Sequence, residues 1–267
     1  MTASPNPGAA GPTELDLTHW PRRGAFEFYR GFDKPYFSVC TRIDVTALKP
    51  ALARAGAGSP KPTTAGATSP TLAKAGSLGP APTMAGARSV TLACHFVALS
   101  LANTLAPFRY RLQQGRVQVL PVVHGSTTVL RADDSFGFAY LRHHASFTDF
   151  AREGAAALAV ARAGDDGFAP RVDDTALLHF TTLPWLHFTS FSHARNGGRE
   201  DAIPKFAFGR IDREGDGAHA RHWMPLSVEV HHALMDGLHV GRFVQGFEAA
   251  MREPLPWQQD GPLPGST

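Results

Sequence analysis

The side chains best placed for chemistry lie in one string, VEVHHALMDGLHVGRF, from Val228 to Phe243. A strand-like run ends at His231-His232, Asp236-Gly237 marks a turn, and a helical pattern follows. An imidazole takes up and returns protons near neutral pH, its unperturbed pKa being about 6.5, so a histidine at a strand end is suited to proton transfer. Alternation along the strand sends His231 and His232 to opposite faces, so one can point into a cleft while the other packs. By itself the string also reads as a plain turn beside a satisfied pair of core histidines.

The remaining polar groups offer less. His143-His144, and His219 with His222, lack a further Cys, Asp or Glu at zinc spacing, so no metal site is expected. No glycine-rich phosphate loop stands between a strand and a helix. Ala151 to Gly164 carries only Leu158 and Val160 as sizeable apolar side chains, which suits an Ala-rich helix rather than a membrane-surface one. With 26 basic and 23 acidic side chains among 267 residues, the formal charge of +3 is too small for an electrostatic nucleic-acid binder. No apolar run approaches the roughly 18 residues that span a bilayer, and no basic-then-apolar signal opens the chain. Cys40 and Cys94 are far apart. A cytoplasmic protein with two reduced thiols, binding neither membrane nor nucleic acid, is expected.

The elements that must position the histidines alternate between strand-like and helix-like stretches. Ala25 to Tyr29 reads as a short helix and Tyr36 to Asp44 as a strand. Val45 to Arg54 reads as a helix interrupted or restarted at Pro50. Thr91 to Leu105 is apolar on nearly all sides, as a buried helix is. Arg116 to Val123 and Thr127 to Leu130 are strand-like, and Phe136, Phe138 and Tyr140 alternate with smaller residues as in a half-buried strand. Ser146 to Arg162 spaces Phe147, Phe150, Ala151, Leu158 and Ala161 to share a helical core face. Leu177 to Phe191 and Trp223 to His231 are further strand regions. Leu238 to Met251 sets Val240, Phe243, Val244, Phe247 and Met251 on one helical face. The sum is an α/β two-layer sandwich, one mixed sheet covered by helices.

One segment cannot join that core. Of the 34 residues from Ala55 to Arg88, 28 are Ala, Gly, Ser, Thr or Pro, and loosely repeated PT-A phrases run through it. It reads as a flexible insertion (55–88) within a single domain (13–254) flanked by flexible tails, 1–12 and a Pro-rich 255–267. Without these pieces roughly 200 residues are left, an ordinary single-domain length.

HHALMDGLHVGRF resembles the C-terminal motif of the trimeric chloramphenicol acetyltransferases, members of the HHxxxDG superfamily of CoA-dependent acyltransferases. Three further stretches resemble the same family in the same order: THWPRRGAFEFYR (Thr18 to Arg30), TTLPWLHFTSF (Thr181 to Phe191) and IPKFAFGR (Ile203 to Arg210). The resemblance implies an O-acetyltransferase that uses acetyl-CoA as co-substrate, needs no metal, and acts on chloramphenicol or a similar hydroxylated compound as an antibiotic-resistance enzyme. It also implies a homotrimer with sites at subunit interfaces. The same chemistry on another acceptor or acyl-CoA, and a silent relative that only binds CoA or a small molecule, stand beside this reading.

Carried over residue by residue, His232 matches the general base that takes the acceptor hydroxyl's proton and returns it to the CoA sulfur. Asp236 matches a structural aspartate paired with Arg22, and Gly237 completes that support. Thr181, four residues before Trp185, falls where the family has a serine that donates to the oxyanion. A family threonine falls on Ala207. Tyr29 matches an acceptor-pocket aromatic, with Phe136 or Phe138 lining the same cavity, and Arg210 is a candidate for the CoA phosphates. Gly31 to Tyr36 departs from the family in spacing. His193 and Arg195 stand where many drug-modifying members have apolar or amide side chains.

Overall fold

The structure is a computed structural model that describes residues 11–55, 89–164, 171, 174–195 and 200–263. In chain order the elements are β1 (Thr13–Glu14), α1 (Arg23–Tyr29), β2 (Tyr36–Asp44), α2 (Leu48–Ala55), α3 (Val90–Thr104), β3 (Tyr110–Gln113), β4 (Arg116–Val119), β5 (His124–Leu130) and β6 (Phe136–Leu141). They continue with α4 (Phe147–Ala163), β7 (Leu177–Thr182), β8 (Lys205–Phe208), β9 (Asp212–Glu214), β10 (Arg221–His231), α5 (Gly237–Arg252) and α6 (Pro254–Gln258). Except for Ala55, the expected insertion lies outside the described residues, and of the expected N-terminal tail only Gly11 and Pro12 are described.

A seven-stranded mixed sheet runs in the order β2-β10-β8-β7-β5-β6, with β9 also paired to β10. Strand β10 is antiparallel to β2 and β8, β5, β7 and β8 run parallel to one another, and β6 is antiparallel to β5. A smaller sheet, β1-β4-β3, stands apart. The β3–β4 hairpin turns through Gln114 and Gly115, both at positive φ (51° and 74°), the geometry a two-residue hairpin loop demands.

Register assigns each side chain of the large sheet to one of two faces. Phe180, Phe206, Phe208, Leu226, Val228 and Val230 face the helices and are buried. Phe243 of α5 meets the rings of Phe206 and Phe108 at 5.1 and 5.0 Å. Each such phenyl ring removed from water contributes roughly 1.5–3 kcal/mol. The opposite face carries His179 and Thr181, Lys205 and Ala207, Ser227, Glu229 and His231, and Tyr36 and Ser38.

The helices follow from their caps and patterns. Ser89 caps α3, accepting from the Leu92 N–H at 3.1 Å, and ten of its fifteen residues are buried, which accounts for its apolar surround. Ser146 caps α4, which ends at Gly164 in the left-handed conformation (φ 84°), and the five expected core positions of α4 are all buried.

Three expectations are corrected. Pro50 does not interrupt α2: it lies in the first turn, where its missing N–H costs nothing. The strand expected over Leu177 to Phe191 ends at Thr182, where Pro184, which has no N–H to give, leads into a turn closed by Leu186 N–H to Leu183 O. The tail expected to be flexible from Leu255 is docked as far as Leu263. Trp257 is fully buried, donates to Ala250 O at 2.9 Å and meets the rings of Phe96 and Phe147, while Asp260 accepts from the Ser146 hydroxyl and the Thr148 N–H.

Candidate active site

His232 follows directly on the end of β10, and every part of it is held. Its N–H donates to Pro35 O at 2.7 Å, and its carbonyl accepts from Arg22 Nη2 at 2.9 Å. The Tyr29 ring lies parallel to the imidazole at 3.9 Å between centroids, and Phe37 lies tilted at 4.7 Å. Nδ1 is 3.3 Å from Met235 O. A carbonyl only accepts, so this contact requires the proton on Nδ1, the tautomer in which Nε2 bears the lone pair.

The loop beneath is locked by charge and by a helix cap. Arg22 Nη1 makes a short contact with Asp236 Oδ2. Asp236 caps α5, accepting from Leu238 N–H at 3.1 Å, while its own N–H donates to His239 Nδ1 at 3.1 Å. This is a capping box with histidine in place of the usual Glu or Gln. Burial alone would raise the Asp236 pKa, but Arg22, His239 and the Leu238 N–H together hold it below the ordinary carboxylate value. Burial pushes the His239 pKa down, in keeping with a neutral ring whose Nδ1 accepts. Gly237 opens α5, and an added Cβ there would meet no atom within 4 Å, so the single chain itself makes no demand for glycine. His231, buried on the helix-free face, packs edge-on to Tyr36 at 5.4 Å, and its Nδ1 accepts the Ala233 N–H. The two histidines thus divide into one that packs and one that is presented.

Thr181 lies elsewhere. It is level with Ala207 on β8, which is level with Ser227 on β10, five residues before His232. At about 3.3 Å per residue and 4.8 Å between strands, that is roughly 16 Å along the sheet and about 10 Å across it. Phe136 and Phe138 are on the same face as Thr181 but on β6, the far edge from β2. The expectation that they share a cavity with Tyr29 is therefore met in no single chain. Arg22, Tyr29, His232, Asp236 and Gly237 thus gather at one end of β10, and Thr181 with Phe138 and Phe136 lies apart from them on the same face of the sheet.

Beside Thr181, Thr182 points to the helical side. Its hydroxyl is buried without a partner among the described residues and lines a cavity of about 260 Å³. Cys94, Phe208 and Met224 give this cavity apolar walls, and Lys49 and Arg210 are cations on its lining. Arg210 is half-exposed and donates from Nε to Asp212 at 2.7 Å. Apolar walls, two cations and a buried, unpartnered hydroxyl thus meet in one cavity. Among the described residues no group of three or more His, Cys, Asp or Glu is arranged to hold a metal ion. Among them, too, no helix is long and apolar enough to cross a membrane.

Sequence reasoning did not single out Pro35, Phe37, Met235 or His239 as parts of the His232 setting. His239 was readable from its spacing three residues after the cap, but the other three touch His232 only through the pairing of β2 with β10 and the loop after it.

One mixed sheet, helices on one face and a His-His turn at the end of β10 define the chain as a two-layer sandwich of acyltransferase type. A solved chloramphenicol acetyltransferase superposes with a TM-score of 0.68 at 21% identity, over 89% of this chain and 98% of that one. Residues 88–248 match the family described as chloramphenicol acetyltransferase. The chloramphenicol acetyltransferase of Streptomyces acrimycini is 27% identical over 245 residues, 91% of this chain and 96% of that protein. Chloramphenicol acetyltransferase 2 of Escherichia coli is 26% identical over 240 residues, 87% of this chain and 93% of that protein. The chain belongs to the chloramphenicol acetyltransferase family.

Proposed function

We propose that the protein transfers the acetyl group of acetyl-CoA to a hydroxyl of chloramphenicol or a similar small molecule, with His232 as general base and no acyl-enzyme. The observation that carries this reading is the held imidazole: Nδ1 committed to Met235 O, one face covered by Tyr29, and Nε2 free. Nε2 takes the proton of the acceptor hydroxyl as that oxygen bonds to the thioester carbonyl carbon. The carbonyl oxygen becomes negative and is met by a hydroxyl donor, the role assigned to Thr181. As the carbon–sulfur bond breaks, the imidazolium returns its proton to the CoA sulfur. Arg22 and Asp236 carry no proton and serve to hold the loop.

Because Thr181 and His232 are far apart in one chain, the reaction needs two copies, one supplying Tyr29 and His232 and a neighbour supplying Thr181, Phe136 and Phe138. A homotrimer with sites between subunits meets this need. The cavity at Thr182 takes CoA, with Lys49 and Arg210 toward its phosphates. Such an enzyme confers resistance to its acceptor drug and works in the cytoplasm, where Cys40 and Cys94 stay as free thiols.

The test is release of CoA thiol from acetyl-CoA with chloramphenicol as acceptor, with the His232→Ala variant alongside. Release that is lost in the variant supports both reaction and base. Release that persists in the variant removes His232 from the role, and no release by the parent protein with any hydroxylated acceptor removes the reaction.

A further inference from the structure

On the helix-free face of the large sheet, Arg195, Asp201, Lys205 and Glu229 form a charged cluster whose side chains are each 12% exposed or less. Arg195 Nε bonds Glu229 Oε1 at 2.7 Å, and Nη1 donates to Ile203 O at 2.9 Å and Asp201 O at 3.2 Å. Lys205 Nζ donates to Ala194 O at 2.7 Å and lies 3.3 Å from Asp201 Oδ2. The His193 N–H donates to Glu229 Oε2 at 3.0 Å. Burial would raise the Glu229 pKa, but the neighbouring His193, with its N–H, and the Arg195 guanidinium outweigh it and bring it down to about 2. Two cations and two carboxylates balance. Buried pairs of this kind are often replaceable by apolar side chains without loss of stability, so stability alone does not account for them.

The Arg195 guanidinium lies over the Tyr36 ring, 4.1 Å from its centroid. Tyr36 is level with His231 across the β2–β10 ladder and meets its ring edge-on. Its two chain neighbours both touch His232: Pro35 through the 2.7 Å backbone bond and Phe37 through the 4.7 Å ring contact. A cation held by Glu229 thus presses on the one residue between the two that fix the imidazole.

We infer that Arg195, fixed by Glu229, is a positioning residue for His232, acting through Tyr36 on the Pro35-Tyr36-Phe37 segment. The inference rests on the reading of His232 as the base. A general base displaced by a fraction of an ångström to an ångström loses turnover steeply while substrate binding is kept.

The test replaces the pair together, Arg195→Met with Glu229→Gln, so that neither partner of that pair is left as a stranded charge, and separately makes Tyr36→Leu and Tyr36→Phe. Turnover number, both KM values and thermal midpoint are measured with acetyl-CoA and the acceptor. The expected result is a roughly 10- to 100-fold lower kcat in the double variant and in Tyr36→Leu. Both KM values stay within about twofold of the parent, as for an interaction felt only in the reacting state. Tyr36→Phe, which keeps the ring under the guanidinium, stays well above Tyr36→Leu. Unchanged kcat in a folded double variant, a loss seen in KM instead of kcat, or Tyr36→Leu equal to Tyr36→Phe overturns the inference. Should the double variant not fold, the Tyr36 pair decides alone. His232→Ala, run in parallel, separates the two readings: an active His232→Ala removes the base itself, whereas an inactive one beside a fully active double variant removes only the brace.

Discussion

Thr181 on β7 and His232, just past the end of β10, lie two strands apart, and five residues separate the level of one from the other. No side-chain rotation brings an imidazole across that distance. If the proposed reaction draws His232 and Thr181 from different copies, His232→Ala and Thr181→Val should each retain at most about a hundredth of the parent rate alone and recover activity when refolded together. Random mixing in a cyclic oligomer pairs an intact His232 with an intact Thr181 at about one site in four, so about a quarter of the parent rate is expected. A mixture as inactive as its components would mean that each chain works by itself.

The Thr181 hydroxyl can be tested without mixing. Thr181→Val keeps the shape and removes the donor, and kcat should fall by about 10²- to 10³-fold, the usual effect of losing one oxyanion donor. Thr181→Ser should retain most of the rate. Equal rates for Val and Ser at this position would assign the hydroxyl no part in the reaction.

Arg22 joins two things, the Asp236 carboxylate that caps α5 and the carbonyl of His232. Replacing it by Met should cost about 1.5–3 kcal/mol in urea unfolding, the scale of hydrogen bonds to a charged partner. Turnover should fall further than this stability loss explains, because the loop that carries His232 is released. Full activity in a folded Arg22→Met protein would contradict the support role.

His95 makes a different prediction, about pH. It is fully buried in α3 between the rings of Phe180 and Phe208, at 4.7 and 5.6 Å, and neither ring nitrogen has a partner among the described residues. Burial pushes its pKa down to about 3. The unfolded chain takes a proton on this imidazole below about pH 6.5, whereas the folded chain does not until about pH 3, so stability is lost as pH falls through that window. The slope from this one group reaches about 1.4 kcal/mol per pH unit. His95→Met should flatten it, raising the thermal midpoint more at pH 5 than at pH 8. Parallel pH profiles for the two proteins would show that His95 does not set the acid limb.

Much of the fold was legible. Strand β2 has the bounds its β-branched and aromatic residues predict, Tyr36 to Asp44, and α4 buries the five positions whose spacing set them on one face. Local pattern suffices there because each element needs only its own periodicity to present an apolar face. The docked C-terminal segment was not legible, since Pro-rich composition argues for a loose tail and a single buried ring, Trp257, overrides it. The Arg195–Glu229 pair was not legible either. It joins a loop to a strand 34 residues on, and nothing in either stretch marks the other as its partner.

By itself the chain determined its family, its motifs and, of the residues around His232, Arg22, Tyr29 and Asp236, because these and the HHxxxDG turn lie in short strings whose residue types and order carry the resemblance. Tertiary structure alone decided that His232 Nδ1 faces Met235 O, that His231 packs, and that Thr181 and the β6 phenyl rings lie apart from Tyr29 and His232. Those outcomes depend on strand order and register, which are set by how whole faces bury against one another and not by the spacing of residues within any one segment.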